Sequence, residues 1–244
     1  MPLHTARSSA PTRSRSPRRL GASLSVAAGA LLVIGVTWSG VSPAYAAPTI
    51  GLGTAGSFAV LAGSEVTNTG PSVLTGDLGV SPGSSVTGFP PGQVNGTQHV
   101  SDAVALQAQN DLTTAYNQAA SSPTDQDLTG TDLGGLTLLP GVYEDTSDMQ
   151  LTGTVTLDAQ GDPNAVFIFK AGSSLTTASN SGVLLINGAS PCNVFWQVAS
   201  SATLGTGTDF VGTVMALTAA TLNTGADVTG RILARNAAVT LDTN

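Results

Sequence analysis

Cysteine, aromatic side chains and cations are all scarce in this sequence. The one cysteine, Cys192, excludes an intrachain disulfide. Beside Pro191 it is expected to be a small buried hydrophobe rather than a reactive thiol. Aromatic residues make up 5% of the chain and charged residues 9%, against 29 glycines and abundant threonine. That balance suits flat strand faces better than a large irregular core. Of the 8 basic residues, five (Arg7, Arg13, Arg15, Arg18, Arg19) crowd the first 19 positions. Beyond them only Lys170, Arg231 and Arg235 oppose 15 acidic residues, 3 − 15 = −12. So anionic a chain with so few cations is excluded as a nucleic-acid binder and has no patch for an anionic membrane.

The clustered arginines belong to a leader. Gly21 to Val36 is apolar and small, and Ala44-Tyr45-Ala46 has the A-x-A form of a cleavage site. Residues 1–46 are therefore expected to be a secretory signal peptide, and the apolar run falls short of the roughly 20 residues that span a bilayer. Arg18-Arg19 alone does not separate twin-arginine from general export. The remaining residues, 47–244, suit one domain, exported and extracellular.

Within that domain the chain repeats itself. Residues 195–243 fall into rows opened by Phe195, Thr213 and Arg231, a period of 18 (213 − 195 and 231 − 213). Gly212 and Gly230 close the first two rows, and Leu204 and Leu222 hold equivalent places. One extra residue moves the third match to Leu241. A short fixed period is the mark of a solenoid, whose units bury their apolar faces only by stacking. Small and β-branched residues alternating over four or five positions give strands. About 18 residues then make one circuit of three short strands at about 3.3 Å per residue. The expected architecture is a mainly β, triangular β-helix, with inward leucines and outward threonines each stacked in ladders. Asn68 to Val73 imitates Asn223 to Val228, so the pattern returns near the start of the domain, where Phe58 to Leu61 is a first strand. Ala165 to Phe169 is a strand buried on both sides. Between Gln98 and Ala120 the period changes: Val100, Val104, Ala108, Leu112, Ala115 and Ala119 recur every three or four residues. This predicts a helix over about 98–120, ended before Pro123 and lying with that stripe against the solenoid.

Catalytic constellations are lacking. Beyond the leader the one histidine, His99, has no Ser, Cys or carboxylate placed near it by a motif. Gly51 to Gly56 matches G-x-G-x-x-G without following a strand or opening a helix, and reads as a flexible start. Asp125 and Asp127 lack the further oxygens calcium needs and read as a solvated turn. β-Helices include polysaccharide-cleaving enzymes, but these need a basic or metal-bound groove that three dispersed cations do not supply. The chain is expected to be no enzyme and to use no cofactor or metal. An exported structural or adhesive solenoid binding extracellular polysaccharide stays open, although Trp196, in the apolar run Asn193 to Val198, reads as core, leaving Tyr116 as the other conspicuous aromatic.

The segments Thr67 to Gly83, Leu136 to Tyr143, Leu157 to Phe169, Asn193 to Val198 and Gly230 to Thr243 resemble the microbial ice-binding proteins. The resemblance spans nearly all of residues 50–244. It implies a secreted, right-handed, discontinuous β-solenoid with one long helix alongside, acting as a monomer whose partner is the ice crystal surface. It also implies a flat face of T-[A/G]-x-[T/N] segments. The aligned segments are Thr177-Ala178-Ser179-Asn180, Thr206-Gly207-Thr208-Asp209 and Thr224-Gly225-Ala226-Asp227, with Thr69-Gly70-Pro71-Ser72 as a fourth. The expected ice-binding residues are thus Thr177, Ser179, Asn180, Thr206, Thr208, Asp209, Thr224, Ala226, Asp227, Thr69 and Ser72. Residues i and i+2 of a strand face one way about 6.6 Å apart and rungs repeat at about 4.8 Å, so ranked threonines would present hydroxyls and methyls at regular intervals to water. Asp209 and Asp227, where the pattern has Thr or Asn, and Ala226 and Pro71 interrupt those ranks.

Overall fold

The 18-residue period becomes the register of a parallel sheet. Phe195 stands opposite Thr213 and Thr213 opposite Arg231, the residues that open the rows, and Leu204 stands opposite Leu222. The structure, a computed structural model, describes residues 47–244; the expected leader lies outside the described residues.

Each row visits three faces. The first carries nine strands in the order Gln98–Val100, Asp77–Val80, Phe58–Ala62, the ends of Asp227–Ala234 and Asp209–Ala216, then Val194–Val198, Phe167–Ala171, Gly141–Asp145 and Gln126–Asp127. The second is a seven-stranded sheet from Met149–Leu151 to Ser85–Thr87. The third holds the beginnings of the two long strands with Gly182–Ile186, Thr154–Asp158 and Thr137–Leu138 on one side, and the pair Val73–Thr75 and Gln93–Asn95 on the other. Rows are not stacked in chain order. Val60 pairs with Ile232 of the last complete row, so the chain begins in the middle of the ladder and winds toward one end. Helix α1 (Ala103–Ala120) then carries it to the other end.

The helix forms where strand-forming residues give way to alanine, glutamine and leucine, which lose little freedom in a helix. Asp102 caps it by accepting the Ala105 N–H at 2.8 Å. It is shorter than expected. Gln98–Val100 is instead a strand pairing with Asp77–Val80, because the row needs it to continue the sheet. Val100 and Val104 are therefore exposed, and the buried stripe is Ala105, Ala108, Leu112, Ala115, Tyr116 and Ala119. Four alanines let the helix lie close on the outward Val142, Ile168, Phe195, Met215 and Leu233 of the first face. The three cations of the described residues sit on that side. Lys170 Nζ reaches Glu144 at 3.1 Å and the Ser122 carbonyl at 3.0 Å. Arg231 donates to the Gly56 carbonyl at 2.8 Å, and Arg235 lies 5.0 Å from the Tyr116 ring centre. Inside the coil, aromatics of successive rows stack along the axis, Tyr143 on Phe169 at 5.4 Å and Phe169 on Trp196 at 4.0 Å, and within one row Phe210 lies tilted against Trp196 at 4.9 Å. Trp196 is core, as its apolar setting implies.

Two local expectations are corrected. Cys192 is exposed, because Pro191–Asn193 is a 3-10 turn at a corner that turns the thiol outward. The glycine-rich Gly51 to Gly56 is not a loose start: Gly53–Ser57 is a 3-10 helix, and the Thr54 N–H donates to Asp111 of α1 at 2.7 Å. His99 lies in the strand before α1, its Nδ1 2.7 Å from Asp102.

Candidate functional site

The expected ice-binding segments do not lie flat on a strand face. They are the corners where the second face turns into the third. Gly207 (φ 65°), Gly225 (φ 71°) and Gly70 (φ 75°) occupy the left-handed region, as does Asn180 (φ 57°). Such a residue reverses the local direction of the chain, so the residue after it swings inward instead of staying on a flat face. Hence Thr208 and Ala226 are buried at 0%, and Ser72, one residue further on after Pro71, is buried as well. The first row is also shifted by two positions. The Asn180 N–H donates to Thr206 and the Gly207 N–H to Thr224, at 2.9 and 3.1 Å, which levels Ser179 with Thr206 and Thr224. Thr177 falls inside the coil, where its hydroxyl meets that of Thr208 at 2.9 Å and accepts the Gly205 N–H at 2.8 Å. Four of the expected residues, Thr177, Thr208, Ala226 and Ser72, thus line the interior and have no access to an external surface. Ser179, Asn180, Thr206 and Thr224 sit on the corner ridge. Asp209 and Asp227 stand side by side on the third face. Thr69 lies at the margin of the second face opposite Asp242.

The second face itself carries the ordered array. Thr176 pairs with Thr203, Thr203 with Thr221, Thr221 with Thr240, Thr240 with Thr67 and Thr67 with Thr87. Six threonines on six adjacent strands form one straight rank, continued by Gln150 opposite Thr176. Their neighbours in sequence alternate inward: Leu175, Ala202, Leu204, Leu222, Val239 and Leu241 are buried. Strand pleating therefore turns every one of these threonines outward. At about 4.8 Å per strand the rank runs about 24 Å. Hydroxyls of adjacent members come within reach, Thr67 to Thr240 at 3.3 Å. Ser174, Ser201, Ala219 and Ala238 border the rank with small side chains, which keeps the face flat. No cation of the described residues lies on it; Glu65 and Asp242 stand at its edges.

The rank was visible in part in the repeat, since Thr203, Thr221 and Thr240 each directly precede a matched leucine. Thr67 and Thr87 were not, because nothing local tells the N-terminal strands which neighbours they will have.

An array of this kind offers no nucleophile or base. Its hydroxyls can each hold a water, its methyls can shape the water between, and its period fixes where those waters sit. The "Ice-binding-like" family model matches residues 60–244. An ice-binding protein of Nostoc sp. is 60% identical over 194 residues, covering 79% of this chain and 72% of the relative. The crystal structure of an ice-binding protein from an Antarctic biological consortium superposes with a TM-score of 0.79 at 53% identity, covering 81% of this chain and 90% of the other. That of the Antarctic ascomycete Antarctomyces psychrotrophicus gives 0.79 at 42% identity, covering 81% and 97%. With a helix-flanked parallel β-solenoid, a flat threonine rank and a family match over most of its length, the chain belongs to the ice-binding-like family.

Proposed function

We propose that this protein, exported by its leader, binds ice through the second face and so restrains ice growth or recrystallisation. The observation that carries the reading is the rank Thr176, Thr203, Thr221, Thr240, Thr67 and Thr87, held in register by backbone ladders. Waters anchored on hydroxyls at a fixed strand spacing form a layer with the length scale of a crystal lattice. β-Branched threonine contributes because its χ1 is restricted, so the hydroxyls lose little freedom on adsorption. The face is nearly free of charge, and a charge would keep its own hydration shell. Exposed aromatics that would stack on sugars are missing from it, since Trp196, Tyr116 and Tyr143 are buried. One molecule carries the whole rank, so adsorption needs no second copy.

The test is ice growth in the presence of purified residues 47–244. Thermal hysteresis with faceted crystals, and small grains retained on annealing, are expected. Crystals that grow as in buffer alone would end the proposal.

A further inference from the structure

On the second face a second rank lies beside the threonines, and one acid breaks it. Two residues before each threonine, on the same side of the pleat, stand Ser174, Ser201, Ala219, Ala238, Glu65 and Ser85. The residue between the ranks on each strand, such as Leu175, Ala202, Ala220, Val239 and Val66, is buried, which turns both ranks outward. The ranks run about 6.6 Å apart across strands spaced at about 4.8 Å. Apart from Glu65, the members of the second rank end in a methyl or a hydroxymethyl group. Glu65 stands between Ala238 and Ser85 and reaches past both.

A hydroxyl and a carboxylate ask different things of water. The hydroxyl of Ser or Thr both donates and accepts hydrogen bonds, whereas an ionised carboxylate only accepts. Each water of an ice lattice donates and accepts in equal measure, so a hydroxyl can stand in for a lattice member. A carboxylate turns a hydrogen of every neighbouring water toward itself, and stripping those waters from a charge costs far more than stripping them from a neutral group. Two other acids border the face, but protein donors already engage them. Asp148, at the far end of the second rank, accepts the Ser174 N–H at 3.1 Å and the Ser174 hydroxyl at 2.8 Å. Asp242 accepts the Thr224 hydroxyl. Among the described residues Glu65 has no ion-pair partner. Lys170 and Arg235 are committed on the first face, to Glu144 and to the Tyr116 ring. The Glu65 charge is thus left to water.

We propose that Glu65 is the residue that limits how much of the second face adsorbs to ice. The area in which both ranks are small and uncharged is confined to the four strands that carry Thr176, Thr203, Thr221 and Thr240, about 14 Å along the rank. Beyond Ala238 the Glu65 carboxylate holds its own waters against the layer that Thr67 and Thr87 anchor, and so weakens their contribution. A serine at position 65 would let the two ranks run together over six strands, about 24 Å. This inference rests on the ice reading of the second face and makes the fully effective length shorter than the threonine rank itself.

The experiment compares the thermal hysteresis of residues 47–244 with that of Glu65→Ser, Glu65→Gln and Glu65→Asp at equal concentration. Glu65→Ser is expected to raise it about 1.7-fold, the ratio of the two lengths. Glu65→Gln removes the charge but keeps the reach of the side chain, and should raise it by less. Glu65→Asp keeps the charge and should leave it at the parent's value. Each variant exchanges an outward side chain, so circular dichroism and the denaturation midpoint should not move. A parent that restrains ice growth with Glu65→Ser and Glu65→Gln no better would overturn this inference and leave the ice reading standing. No ice activity in the parent or in any of the three variants would overturn both. A gain in Glu65→Ser with none in Glu65→Gln would place the effect in the bulk of the side chain and overturn the assignment to its charge.

Discussion

Thr221→Tyr places a ring in the middle of the threonine rank. Thr221 has Thr203 on one side and Thr240 on the other, each about 4.8 Å away. A tyrosine there stands well above the threonine methyls and holds a flat surface off both neighbours. The longest uninterrupted run falls from six threonines to three, Thr240, Thr67 and Thr87, or from about 24 Å to about 10 Å. Thermal hysteresis at equal concentration should fall to less than about half, since the flat length itself falls by more than that factor. Thr87→Tyr, at the end of the rank, leaves five threonines over about 19 Å and should cost much less. Neither change touches the core, so stability should stay within about 0.5 kcal/mol of the parent. Nanolitre osmometry and an annealing assay measure the first effect, and thermal denaturation the second. Full activity in Thr221→Tyr, or an equal loss from Thr206→Tyr on the corner ridge, would refute the assignment of the face.

Leu112 is completely buried between α1 and the first face; Leu112→Ala should cost about 2–5 kcal/mol, seen as a lower denaturation midpoint, and an unchanged midpoint would mean that the helix is not docked. Thr208→Val keeps the shape of the Thr208 side chain but removes the hydroxyl that meets Thr177 and the Ala178 carbonyl; a loss of about 1–3 kcal/mol is expected, with the ice activity of the folded protein unaltered because the site is internal. Acid should destabilise the fold. The Thr54 N–H, then Gln107, hold the Asp111 carboxyl below its ordinary range, and the Thr124 hydroxyl, then the Lys170 ammonium, do the same for Glu144. Groups with depressed values contribute stability that is full above their unfolded values and is lost as pH falls through the folded ones. The melting temperature should therefore be flat above about pH 5 and drop below about pH 4, more shallowly in Glu144→Gln.

The sequence by itself determined what is local or periodic. Eighteen residues per row, small and β-branched at alternate positions, admit few arrangements other than stacked strands. The matched Leu204, Leu222 and Leu241 had to face inward, since the apolar side of one row is buried only by the next. Leu112, Ala115 and Ala119 fixed which side of α1 would be covered. Orientation at the corners was a different matter. In Thr206 to Asp209 and Thr224 to Asp227 the same letters serve a strand or a turn, and a single left-handed glycine puts Thr208 and Ala226 inside. Val100 likewise joined a sheet edge and not the helix because a neighbouring strand, Asp77–Val80, stood ready to pair with it. Only the tertiary structure decided that the N-terminal strands dock on the last row, and with that docking Thr67 and Thr87 extend the C-terminal threonines into one rank. A single row can define a threonine's direction, but the straight line of six comes from inter-row hydrogen bonds between segments as many as 173 residues apart.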